Sequence, residues 1–296
     1  MNTSTETNTA ASERKKARRE QWRLIVRRPA FIVGMLILTF WLACAFFPSV
    51  IAPHNPLDFR ALDGSFTGQH LSPRADFLFG TDASGRDVFS RVVAGSRDVF
   101  KIAPPAAVLG VILGVILGTL MGYLGGWFDL IASRVVEAFI ALPVVLVALV
   151  ALTTIGRSST VVIGVIAVLF TPIVARTVRA AVLAERDLDY VTSAKLRGES
   201  SVFIMFREIL PNVSGPIIVE LTVRMGYAVF TVATLSFLGA GPPPPSPDWG
   251  AQVSDTFNNM GAGFWWPTFF PALAIATLVI AVSLIADSVQ SVLEGS

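Results

Sequence analysis

Apolar residues fall along this chain in long blocks separated by polar ones, with none of the two-residue alternation of a half-buried strand. From Phe31 to about Ile51 almost every position is apolar, and comparable runs recur at about Pro104–Tyr123, Val135–Thr154, Val161–Leu183, Gly215–Gly239 and Thr268–Val289. At 1.5 Å per residue, roughly 20 such residues cross the ~30 Å hydrocarbon layer of a bilayer. The pattern predicts an all-α membrane protein with six transmembrane helices.

The polar blocks assign sides. Residues 1–29 form a tail in which 1–12 read as disordered, followed by Arg14, Lys15, Lys16, Arg18, Arg19, Arg23, Arg27 and Arg28. Basic clusters ahead of an apolar span hold the N-terminus in the cytoplasm. The lipid bilayer is an expected partner of the chain, and nucleic acid is not expected. The run over 30–51 has no small-residue cleavage site, so it reads as a first span running outward. Residues 52–101, with Pro53, Pro56 and Pro73, are too polar to span and read as an extracytoplasmic segment. Residues 102–296 then form a five-helix core. Its turn at 155–160 and its segment 240–266 fall outside, and the charged loop 184–213 and the C-terminus fall inside. Segment 240–266 has no Lys or Arg; it carries Pro242–Pro245, Pro247, Trp249, Phe264, Trp265 and Trp266, and the last two suit the headgroup boundary.

Within the second span Gly110, Gly114, Gly118 and Gly122 recur every four residues. This makes one smooth stripe for close helix packing. Gly125–Gly126 ends that helix.

Composition agrees with the pattern: 53% of residues are hydrophobic and 15% charged. The single cysteine, Cys44, excludes an internal disulfide and lies in an apolar run, as an inert buried thiol would. His54 and His70, alone and 16 apart, do not read as metal ligands. No phosphate-cradling glycine loop, catalytic triad or carboxylate cluster is present, so no enzyme activity, cofactor or metal site is expected. Uphill transport then needs an ion gradient or a partner. Ionisable residues within the predicted spans include Glu137, one turn into the third, and Glu220 and Arg224 in the fifth. The spacing of the last two places them on one helix face; an internal ion pair and a pore or gate role both fit.

Loop 184–213 is the most informative stretch. It predicts a short helix around Asp189–Arg197 capped by Asp187 or Asp189, a left-handed turn at Gly198, and a second helix from Ser201 to Leu210 stopped by Pro211. Val202, Phe203, Phe206, Ile209 and Leu210 would share one apolar stripe. A docking element and a helix pair lying on the membrane surface are both consistent with this.

The loop resembles the EAA loop of ABC importer permeases: Glu-Ala-Ala, three residues, Gly, nine residues, Ile, one residue, Leu-Pro. Aligned on Gly198, the triplet is Thr192, Ser193 and Ala194, and Leu210 and Pro211 fall in place. Glu208 stands where Ile is usual, with Ile209 beside it. The Glu of the triplet is often absent in the peptide branch, where Tyr190-Val191 before it is typical. Two further stretches resemble that branch's C-type permeases. One runs Phe79-Gly80-Thr81-Asp82, Gly85-Arg86-Asp87, Ser90-Arg91 and Gly95; the other is Leu235-Ser236-Phe237-Leu238-Gly239 followed by Asp248-Trp249-Gly250. The resemblance spans about residues 30–290.

The resemblance implies a type I importer permease fold in a bacterial plasma membrane, with both termini cytoplasmic. It implies a second homologous permease, two ATP-binding subunits that use ATP and Mg, and an extracytoplasmic substrate-binding protein. The helix at 189–198, with Tyr190, Thr192, Ser193, Ala194 and Gly198, would sit in a cleft on an ATPase, with Leu210 and Pro211 closing the element. For Gly80, Asp82, Gly85, Arg86, Asp87 and Arg91, mutual pairing in a capped surface helix, a brace, and contact with the binding protein stay open. Cargo on this reading is dipeptides or oligopeptides, with nickel, glutathione or another small solute as alternatives. An ion-gradient-driven transporter is the alternative of a different class.

Overall fold

A computed structural model describes residues 24–58, 69–243 and 245–293. The N-terminal residues expected to be disordered, and the basic run up to Arg23, lie outside the described residues. The structure is helical, and among the described residues only isolated bridges (Arg74 with Phe77, Thr81 with Asp87) represent β-structure. Helix α1 spans Pro29–Phe46, α2 Val88–Leu124, α3 Gly126–Ile140, α4 Val144–Ile155, α5 Ser159–Glu185, α6 Asp189–Leu196, α7 Ser214–Phe237, α8 Trp249–Thr256 and α9 Trp266–Leu293. Five of these are long and apolar enough to cross a membrane, and a sixth span follows if the bent pair α3–α4 counts as one.

Two expectations change. The helix that carries the second span begins well before Pro104. Helix α2 starts at Val88 and runs unbroken through Pro104 and Pro105 for 37 residues, about 55 Å. Its first turn is secured by the Asp87 carboxylate, which accepts from the backbone N–H groups of Phe89 and Ser90. The third span is broken: α3 and α4 meet at 88°. Pro143 heads α4 in an extended conformation, and a residue before proline, here Leu142, is disfavoured in a helix.

The glycine stripe does what close packing requires. A Cβ on Gly118 would stand 2.5 Å from the Ala175 carbonyl oxygen, on Gly114 2.5 Å from Val174 Cβ, and on Gly122 2.8 Å from Val182 Cβ. Each four-residue step along α2 is answered by a similar step along α5, so the two helices run parallel with their backbones in contact. In lipid, where apolar burial drives no association, such contact is what holds helices together. Gly125 and Gly126, both at positive φ, end α2 and turn the chain into α3. Helix α1 closes on α9 at Gly34, opposite Ala281, and Cys44 is fully buried in the core with Ile102, Ala103 and Leu278.

The bundle thus has two decorated ends. Residues 69–98 and 238–265 close one, here termed the cap end. Residues 186–213 form the other, the loop end.

Candidate functional site

At the loop end, Leu188 rather than Asp187 or Asp189 takes the N-cap of α6, and no side chain caps it. Asp189 is the first helical residue, where its charge meets the positive end of the helix dipole. Asp187 instead reaches Arg186 at 3.5 Å. Tyr190 donates to Glu185 at 2.6 Å, and burial, reinforced by that carboxylate, holds its phenol above the ordinary value. Thr192 and Ser193 are exposed, and Ala194 is fully buried with Val191. At Gly198 (φ +76) the chain reverses. The N–H of Glu199 returns to Ala194 O at 3.2 Å and that of Gly198 to Lys195 O at 3.0 Å, a paired C-terminal cap.

The second helix departs from expectation. After one turn at Ser201–Phe203 it widens into a π-helical segment, Ile204–Ile209, and passes through Leu210–Asn212 into α7. Pro211 does not stop it. The N–H of Leu210 reaches five residues back to Met205 O, and the wider turn makes room for the proline ring and its missing donor. The extra residue also splits the expected apolar stripe. Ile209 is buried, joined by Ile204 and Met205, while Val202, Phe203 and Phe206 face outward. Val191, Ala194, Ile204 and Ile209 pack on Val178 and Val182 of α5. The loop is therefore seated on the spans by one face and presents the other, where Leu196 is 84% and Val202 63% exposed.

Within the bundle, Glu220 and Arg224 pair at 3.0 Å, each side chain nearly buried. Glu220 also accepts from Thr177 of α5 at 2.7 Å, and the Arg224 guanidinium lies 5.0 Å from the Tyr227 ring centre and 5.9 Å from that of Phe170. The pair thus ties α7 to α5. Glu137 is not part of it; exposed on α3, it pairs with Arg134 at 2.9 Å. A second link was not anticipated: Arg179 of α5 donates through two nitrogens to Asp129 of α3 at 2.5 and 2.6 Å. Two arginines, Arg176 and Arg179, inside a mostly apolar predicted span were the signal that one of them has a partner.

At the cap end, the Asp82 carboxylate gathers the surrounding segment. It accepts from the N–H groups of Ser84 (2.8 Å) and Arg86 (3.0 Å) and from Arg86 Nε (2.7 Å), and it lies 3.6 Å from the buried Arg91. Gly85 turns the chain at φ +80. Asp87, besides capping α2, takes the Ser90 hydroxyl at 2.5 Å and His54 Nδ1 at 3.2 Å. Gly80 (φ +72) lets Trp266 approach, since a Cβ there would stand 2.7 Å from its indole nitrogen. That nitrogen donates to Thr81 O at 3.1 Å. Trp266 is accordingly buried, and Trp265 remains exposed. Trp249 is buried beneath the cap. It donates to Val92 O at 2.7 Å and meets Trp41 of α1 edge to face.

Residues 110–296 match the family described as binding-protein-dependent transport system inner membrane component. The dipeptide transport system permease protein DppC of Escherichia coli is 37% identical over 286 residues, covering 93% of this chain and 92% of that protein. DppC of Bacillus subtilis is 33% identical over 275 residues, covering 93% and 84%. The glutathione transport system permease protein GsiD of Shigella flexneri is 35% identical over 277 residues, covering 93% and 89%.

Proposed function

This chain belongs to the family of binding-protein-dependent transport inner membrane components, and on that premise we propose that it is one half of the membrane path of an ATP-driven importer of dipeptides or oligopeptides. It is a multi-pass membrane protein with the role of a transmembrane permease component. In this reading the loop end and both termini face the cytoplasm and the cap end faces outward. A second, homologous permease completes the path. Two ATPase subunits bind ATP and Mg, and a substrate-binding protein delivers cargo to the cap end.

The observation that carries the reading is the rigid loop with an uncovered apolar face. Leu196, Val202, Phe203 and Phe206 stand outward while Val191, Ala194 and Ile209 are locked into the spans. A loop bathed in water has no need of such a ridge; a partner's cleft buries one. Movement of a partner gripping the ridge passes through α6 into α5, because packed interfaces shift as units. Gly198 fixes the angle between the two pieces. The residues 80–91 act as a brace that anchors the head of α2 to α9 and to the turn at His54. The Glu220–Arg224 pair is an internal tie at the α5–α7 contact rather than an open pore charge.

The name of the GsiD relative supports a second cargo reading: glutathione, itself a modified tripeptide. Uptake decides between them. In cells co-expressing the chain with its neighbouring subunits and lacking other peptide importers, labelled dipeptide should accumulate and Leu196→Asp should abolish it. Accumulation of glutathione alone would reassign the cargo.

A further inference from the structure

Helices α1 and α9 meet backbone to backbone at Gly34, where a Cβ would stand 2.7 Å from Ala281 O. Nearer the cap end a side chain is needed to bridge them, and a groove of about 480 Å³ lies between. Ile37 and Trp41 of α1 stand on one wall, Leu273 and Thr277 of α9 on the other, and Val92 and Val93 at the head of α2 form the floor. Trp41 Nε1 donates to Thr277 Oγ1 at 3.1 Å, and that hydroxyl donates to carbonyls of its own helix, Leu273 O at 2.9 Å and Ala274 O at 3.0 Å. Every other side chain of the lining is hydrocarbon.

The groove lies at hydrocarbon depth. At 1.5 Å per residue its α9 wall, Phe270 to Thr277, runs from about 8 to about 18 Å below the exposed Trp265. Its α1 wall, Trp41 to Leu36, runs from about 8 to about 15 Å below the helix end at Phe46. One leaflet supplies about 15 Å of the ~30 Å hydrocarbon layer. The groove also continues the outer surface of α1, because Leu36 and Phe40 belong to both and stand beside the exposed Ile32 and Val33. Water finds no partners there, since a held water needs two to four hydrogen bonds. A non-helical peptide would leave its backbone groups unpaired. The whole volume equals about one turn of a helix ~10 Å wide, too little to seat one. What fits at this depth is hydrocarbon.

We propose that this groove is a lipid site: it holds one acyl chain of a phospholipid from the leaflet on the cap side. Lipid slides past the convex face of α1, whereas a chain in the groove meets wall atoms on three sides. In a bilayer, where apolar burial drives nothing, that gain in dispersion contact is what holds it. Part of the wall is made of rings that support one another: Phe79 stacks on Phe270 at 3.8 Å and meets Phe89 edge to face at 5.0 Å. Phe79 belongs to the cap segment, Phe89 to α2 and Phe270 to α9, so the held chain lies where these three join. The proposal rests on the chain being a multi-pass membrane protein and is independent of its cargo.

The test uses the assembled complex in vesicles of phosphatidylethanolamine and phosphatidylglycerol, with a trace of phosphatidylethanolamine that carries a diazirine midway along one acyl chain. After irradiation the adducts are mapped by mass spectrometry of the digested chain. Ile32 and Val33, on the open face of α1, give the background from passing lipid. Ile37 and Leu273, in the groove, should carry several-fold more adduct, although Ile37 is the less exposed to the bilayer. Ala274→Phe fills the groove and should bring Ile37 down to the background, with adducts at Ile32 and Val33 and recovery of the other subunits unchanged. Leu273→Trp serves the same purpose should the first variant fail to fold, and the wild-type comparison needs neither. Adduct at Ile37 and Leu273 no greater than at Ile32 and Val33, or an excess that survives the filled groove, overturns the site. A groove without adduct, together with loss of the second permease in Ala274→Phe, also overturns it and makes the groove a seam between subunits.

Discussion

The indole of Trp249 lies against the bare backbone of Gly95, with its Cδ1 only 2.6 Å from where a Cβ would stand. The Pro247 carbonyl closes the same space. This contact joins the cap segment to the head of α2, and Trp249 Nε1 bonds Val92 O one turn earlier. Neither neighbour can retreat, since one is backbone and the other is fully buried. Gly95→Ala should therefore destabilise by about 1–3 kcal/mol, the usual cost of overpacking. Thermal unfolding in detergent measures it, and an unchanged midpoint would mean that the cap is loosely held.

Gly198 makes a different prediction. Nothing lies within 4 Å of its Cβ position, so only its left-handed backbone resists substitution. Gly198→Asn, tolerant of that conformation, should leave uptake near wild type. Gly198→Val should cost about 1–2 kcal/mol locally and misdirect the second piece of the loop. The expected readout is ATP hydrolysis that no longer responds to binding protein, with the permease still folded. Equal behaviour of the two variants would show that the turn does not set the coupling geometry.

Asp248 caps α8 through Ala251 N–H at 3.0 Å while almost wholly buried. That burial pushes its carboxyl up to about 6, against an ordinary value of 3.8, and the nearby Asp98 adds to the rise. The folded chain thus holds the proton more tightly than the unfolded one. Its contribution to stability is full below about pH 4 and is lost as pH rises through 6. Relative to Asp248→Asn, which does not titrate, the wild type should lose about 2 kcal/mol between pH 4 and 7. Unfolding midpoints of both proteins across that range give the difference, and parallel curves would contradict the buried carboxylate.

The Glu220–Arg224 tie should behave as a nearly buried pair. Arg224→Met alone leaves Glu220 uncompensated and should destabilise by about 3–5 kcal/mol. Adding Glu220→Leu should recover most of that loss. A double-mutant cycle on unfolding with an interaction energy near zero would mean that the pair faces water, and would reopen a pore role for it.

Much of this fold was legible as blocks of apolar residues, because a bilayer imposes one length on every span. What escaped reading came from proline and from tertiary contact. Pro104–Pro105 suggested a helix start, yet α2 passes through them because its head is fixed by the Asp87 cap and the Asp82 cluster. Pro143 did break a helix, inside a run whose hydropathy showed no interruption. In the loop, Gly198 was readable because its φ follows from residue type. The outward turn of Val202, Phe203 and Phe206 was not, since a single widened turn reassigns a face that periodicity alone cannot resolve. The Trp266–Thr81 and Arg179–Asp129 contacts join residues far apart in sequence, and no local pattern encodes such pairings.

In the proposed importer the exposed ridge of loop 186–213 grips an ATPase. Tagged chain, solubilised gently from membranes containing its neighbouring subunits, should recover a second permease and ATPase subunits. Replacing the outward residues Leu196 and Val202 by Asp should release the ATPases while the second permease stays bound, because neither side chain supports the fold. Recovery of ATPases undiminished by those substitutions, or a chain that purifies alone, would contradict the account.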